Sequence, residues 1–132
     1  VSLTANRTTA TRTLTVRMDP RVHVAASSLR AQFALAMSVD STLDRATATH
    51  RRVRAYLAAH QGGLSPAETD SATAIAGDLA TVDGVLASLA AQVVEADAAP
   101  NQGERGVLAE YTRQLQALAA RWQAVQTRAG GG

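Results

Sequence analysis

Six apolar residues, Ile75, Leu79, Val82, Leu86, Leu89 and Val93, follow one another at steps of 4, 3, 4, 3 and 4 residues. That spacing keeps all six on one stripe of an α-helix and is incompatible with the two-residue period of a strand. A second set, Leu108, Tyr111, Leu115, Leu118, Trp122 and Val125, repeats at 3, 4, 3, 4 and 3. Each stripe follows a start signal. Ser65-Pro66-Ala67-Glu68 is a capping box with proline at the first helical position, and Asn101 stands three residues before Glu104 in the same way. Helices are therefore predicted over 66–95 and 102–128.

Two stripes of this width need a common partner, and residues 25–59 supply it. Leu29, Phe33, Ala36, Asp40, Leu43, Thr47, His50, Arg54 and Leu57 alternate steps of four and three. Asp40, His50 and Arg54 are weak members of a seam, and the flanking Ala46 and Val53 are expected to rotate inward in their place. Gln61-Gly62-Gly63 ends the segment, since glycine readily adopts the left-handed cap. The expected fold is mainly α, an antiparallel up-down-up three-helix bundle over 25–129. A seam period of 3.5 favours left-handed packing at roughly 20°. At about 1.5 Å per residue the helices would be roughly 40–50 Å long. Apolar residues make up 46% of the chain and aromatics 3%, which suits closely spaced helices better than a deep pocket. Truncating Trp122 or Phe33 is expected to cost about 3–5 kcal/mol.

The N-terminal residues obey a different period. Val1, Leu3 and Ala5 alternate with Ser2 and Thr4, and Leu14, Val16 and Met18 alternate with Thr13, Thr15 and Arg17. Asn6-Arg7 offers a tight turn, because Asn tolerates positive φ. Residues 1–19 thus read as a Thr-rich antiparallel hairpin, stopped at Asp19-Pro20 because proline cannot donate to a β-ladder. Residues 20–24 form a connector and 130–132 a flexible glycine tail. A lone hairpin is marginal in water. Together with Val1 standing where an initiator methionine would, this predicts a piece of a larger protein, the end of a sheet domain joined to a complete bundle.

Charge is unevenly placed. Residues 1–63 hold nine Arg against Asp19, Asp40 and Asp44, and residues 64–132 hold four Arg against eight acids. Oppositely charged neighbouring helices explain this within one bundle, and the predicted pairing sets Arg51, Arg52 and Arg54 against Glu68 and Asp70. The basic half lacks the interleaved aromatics of a nucleic-acid surface, so no nucleic acid is expected. There is no cysteine, which excludes disulfides and thiolate chemistry. No apolar run approaches the roughly 18 residues of a membrane helix, and membrane insertion is not expected.

Residues that could carry chemistry are few. His23, His50 and His60 have no carboxylate or second histidine at helical ligand spacing, so His50 reads as a half-buried, hydrogen-bonded residue and His23 as a contact at the junction. Asp40 and Asp44 lie one turn apart without a nearby nucleophile. Asn6-Arg7-Thr8 matches a glycosylation sequon, a motif short enough to arise by chance. Arg51, Arg52 and Arg54 form a candidate interaction patch, joined by Gly77 and Gly84, seven residues apart on the outward face of the second helix. No catalytic, cofactor-binding or metal-binding residue is assigned and no cofactor is expected, so the chain reads as a non-enzyme.

The order of Val1-Ser-Leu-Thr-Ala-Asn-Arg7, Leu14-Thr-Val-Arg-Met-Asp-Pro-Arg-Val22, Leu29-Arg-Ala-Gln-Phe33 and Asp97-Ala-Ala-Pro100 resembles the C-terminal region of bacterial sortilin-like, BNR-repeat β-propeller proteins, often labelled glycosyl hydrolases. There a Leu-Thr-Val-x-x-Asp-Pro-Arg strand closes an immunoglobulin-like sandwich and a helical region follows. The Asn6-Arg7 turn departs from the Asn-Gly or Asp-Gly pair expected of that pattern. The resemblance implies an exported protein whose upstream domains are the first partners of this chain. It implies a non-catalytic structural or interaction module, with a further protein, or a second copy, able to pair at the hairpin edge. Two alternatives are a fragment of a glycosyl hydrolase whose active site lies upstream, and a self-contained helical binding module.

Overall fold

The computed structural model describes residues 1–17, 19, 21, 23–96 and 98–129. Expectations resting on Met18, Pro20, Val22, Asp97 and Gly130 to Gly132 lie outside these residues. Three long helices follow a short hairpin: β1 (Ser2–Ala5), β2 (Thr8–Thr11), α1 (Ala26–Ala59), α2 (Pro66–Glu95) and α3 (Gln102–Ala129).

The helix boundaries fall within one residue of those read from the caps. Ser65 Oγ accepts the Glu68 backbone N–H at 3.3 Å, and Glu68 Oε2 accepts the Ser65 N–H at 2.9 Å. At α3 the Asn101 N–H donates to Glu104 Oε2 at 2.8 Å, and the Glu104 N–H donates to Asn101 Oδ1 at 2.9 Å. Each box satisfies N–H groups that the first turn of a helix cannot use. After α1, Gly62 adopts φ 82°, which frees the chain to reverse into α2. The C-terminal end of α2 is closed by a side chain from another helix. Gln32 Nε2 of α1 donates to the Val93 carbonyl at 2.7 Å and also to the Ala96 carbonyl.

Contacts along the bundle fix the helix directions. Gln32 meets Val93 and His50 meets Asp83, so α1 and α2 are antiparallel. Arg121 reaches Asp78 at one level while Leu108 packs near Val93 at another, so α3 is antiparallel to α2 and runs with α1. Helix α2 is central. Its predicted stripe is buried from Ile75 to Val93, joined by Ala72. From α3 come Leu115, Leu118, Trp122 and Val125. Trp122 meets Tyr56 edge to face, centroids 5.0 Å apart, and Tyr56 stacks on His60 at 4.1 Å. Helix α2 is also long and apolar enough to cross a membrane by length and composition, with a mean hydropathy of 1.4 over 18 residues. This corrects the reading that no segment approaches that limit. In this fold its apolar stripe is the bundle core.

Helix α1 departs from its predicted seam. The buried residues are Leu35, Val39, Thr42, Ala46 and Val53, one position before the predicted Ala36, Asp40, Leu43, Thr47 and Arg54. One residue is about 100° of rotation. That turn leaves Asp40 and Arg54 exposed and puts Val39 and Val53 inside, sparing the bundle two buried charges. Ala46 and Val53 move inward as expected. Phe33, expected in the core, is 67% exposed, so its predicted cost on truncation does not hold.

The hairpin forms at the predicted turn and is shorter than predicted. Asn6 and Arg7 take φ 49° and 61°, the two successive positive values of a type I′ turn. The register pairs Ser2 with Thr11, Leu3 with Ala10, Thr4 with Thr9 and Ala5 with Thr8. One face is a hydroxyl ladder, with Thr4 and Thr9 Oγ1 atoms 2.8 Å apart, and the other carries Leu3 and Ala10. The second strand ends at Thr11. Leu14 and Val16 are 67% and 86% exposed and belong to no strand, contrary to the half-buried strand read from their alternation. A period of two can bury a face only when something lies against it. Among the described residues, no residue of either strand approaches a helix within 8 Å between Cα atoms.

Candidate functional site

Two surface grooves flank the second half of α1. The first lies between α1 and α2 and has a volume of about 520 Å³. Its α1 wall carries His50, Arg54 and Leu57, with Gln61 from the following turn, and its α2 wall Thr73, Ala76, Gly77 and Ala80. The four-residue step from His50 to Arg54 stacks them on one face of α1. The second groove, about 460 Å³, lies between α1 and α3, where Arg45 and Arg52 face Gln116 and Gln123 across alanines. Helices α1 and α3 meet only sparsely, which leaves this side open.

His50 is half-buried and hydrogen-bonded, as its position in the stripe predicts. Its Nδ1 lies 2.8 Å from Asp83 Oδ2, and Thr47 Oγ1 donates to Asp83 Oδ1 at 3.2 Å. The His50 and Asp83 side chains keep 19% and 21% of their exposure. A carboxylate only accepts, so Nδ1 carries a proton and Nε2 is the ring nitrogen left over. Sequence spacing missed Asp83 because it tests neighbours on one helix, and this partner stands on the next. The available signal was that Asp83, one position past Val82, falls at the edge of the α2 stripe, where it can reach across to α1.

The predicted patch is divided. Arg54 and Gly77 line the α1–α2 groove, Arg52 lines the α1–α3 groove, and Arg51 lies exposed on the ridge between them. Gly84 is exposed on α2 outside both grooves, and a Cβ on Gly77 or Gly84 would meet nothing within 4 Å. Neither glycine is needed for close approach within the chain.

The expected pairing of Arg51, Arg52 and Arg54 with Glu68 and Asp70 does not form. Among the described residues none of the three lies within 4.0 Å of a carboxylate. The acids of α2 turn elsewhere. Asp83 takes His50, Asp78 takes Arg121 at 3.1 Å, and Glu68 is occupied in its capping box. Its carboxyl is held below the usual value by the Ser65 hydroxyl first and the Ser65 N–H second.

Other candidates are dispersed. Asp40 and Asp44 are exposed, and His23 is exposed rather than packed at a junction. His60 Nδ1 meets the Tyr56 carbonyl at 2.9 Å at the end of α1. Among the described residues no three His, Asp or Glu side chains converge on one point. No known family model, curated protein or solved structure matches the chain.

Proposed function

We propose that this chain is a non-catalytic structural and interaction module, a helical bundle carrying the last hairpin of an immunoglobulin-like sandwich. In this reading it belongs to the C-terminal region of an exported sortilin-like, BNR-repeat propeller protein, and its first partners are the upstream domains of that polypeptide. The observation that carries the proposal is the state of the hairpin. Among the described residues it pairs only with itself, every residue in it is exposed, and none of its Cα atoms comes within 8 Å of a helix. Both outer edges keep backbone donors and acceptors that another strand could pair. Leu3, Leu14 and Val16, together with Phe33, Met37 and Val94 of the bundle, stand exposed as they would if a neighbouring domain covered them. Gln32 joins the start of α1 to the end of α2, so Phe33 and Val94 belong to one end of the bundle.

Amide hydrogen exchange tests this reading. In the chain alone the amides of β1 and β2 should exchange far faster than those of α2. In the polypeptide extended by its upstream domains, the outward-facing amides of one strand should become protected and Leu3 and Leu14 should lose solvent contact. Equal exchange of the hairpin in both settings overturns the proposal.

A further inference from the structure

We propose that the α1–α2 groove beside His50 binds a small organic carboxylate with a short apolar chain. The acceptor end of such a ligand has a matched partner in Arg54. Arg54 lines the groove, pairs with no carboxylate among the described residues, and lies one turn from His50 on the same helix. His50 is fixed from behind by Asp83, which Thr47 holds in turn, so the ring cannot swing away without breaking a chain of hydrogen bonds. No carboxylate lines the groove to compete for Arg54, and Leu57, Ala76 and Ala80 offer an apolar wall for a hydrocarbon tail. Charge-assisted, forked hydrogen bonds from a guanidinium suit a carboxylate in particular.

The test uses hexanoate as the probe and the full chain as the receptor, followed by titration calorimetry and by the His50 ring resonances. Hexanoate should move the His50 signals while those of His23 stay. Arg54→Ala should weaken binding by roughly tenfold or more. Gly77→Leu is the second variant. It fills the groove from a position where an added Cβ meets nothing, and it removes a glycine from the middle of a helix. It should abolish binding while the helical melt moves upward. Hexanol and hexylamine should not bind. Any of three results overturns the proposal: hexanoate leaving His50 unmoved, affinity unchanged in both variants, or inorganic phosphate binding where hexanoate does not.

Discussion

At the scale of single residues, burial decides which side chains hold this molecule together. Trp122 is 5% exposed and is touched by Tyr56, whereas Phe33 is 67% exposed although both are large aromatics at stripe positions. Trp122→Ala should cost about 3–5 kcal/mol, because it removes contacts and leaves a cavity. Phe33→Ala should stay within about 0.5 kcal/mol, as surface substitutions do. Urea melts of the two variants separate these outcomes, and a large loss for Phe33 would mean that α1 is turned differently from the structure. Glu68 gives a pH-dependent counterpart. Its folded pKa is depressed by Ser65, so its contribution is complete above the unfolded value of about 4.5 and is lost as pH falls through the folded one. Thermal melts of Glu68→Gln and the parent chain should differ at neutral pH and converge in acid. A gap that persists unchanged in acid would show that the ionised carboxylate is not what caps α2.

At the scale of elements, α2 and α3 were legible and α1 was only partly so, for a physical reason. The stripe from Ile75 to Val93 contains only large aliphatic residues, so a single rotation buries it. In α1 two stripes one residue apart compete, one with Phe33, Leu43 and Leu57, the other with Leu35, Val39 and Val53. Counting large apolar side chains does not separate them. The cost of burying Asp40 and Arg54 does, and it favours the second. The His50–Asp83 contact and the Gln32 cap of α2 were illegible for a related reason, since both join residues whose proximity exists only once the helices are packed. The hairpin turn was legible because it is local. It is also strained, since Arg7 holds φ 61° without being glycine, at about 1 kcal/mol. Arg7→Gly should raise the population of the β1–β2 pairing. The check is cross-strand nuclear Overhauser contacts between Leu3 and Ala10 and between Thr4 and Thr9, and their weakening in the variant would contradict the type I′ geometry.

At the scale of the whole molecule, the chain divides its apolar surface unevenly. The bundle buries Val39, Val53, Ile75, Leu79, Val82, Leu86 and Val93 almost completely, while residues 1–17 are exposed throughout. Stability in proportion to buried area must then reside in the helices, since a two-stranded hairpin without a covered face is marginal in water. Removing residues 1–19 should therefore leave the helical circular dichroism and its cooperative melt in place, with a midpoint within a few degrees of the parent, about what changes below 1 kcal/mol produce. The deletion also removes Leu3, Leu14 and Val16 from the surface, so the shortened chain should be less prone to associate at high concentration, which light scattering would measure. The two readouts answer different questions. Loss of the cooperative melt would place the hairpin inside the folding unit. An intact melt with unchanged association would move the sticky surface to Phe33, Met37 and Val94 on the bundle itself. An intact melt with reduced association is the expected pair, and it would make the first nineteen residues a surface built for contact with something other than these helices.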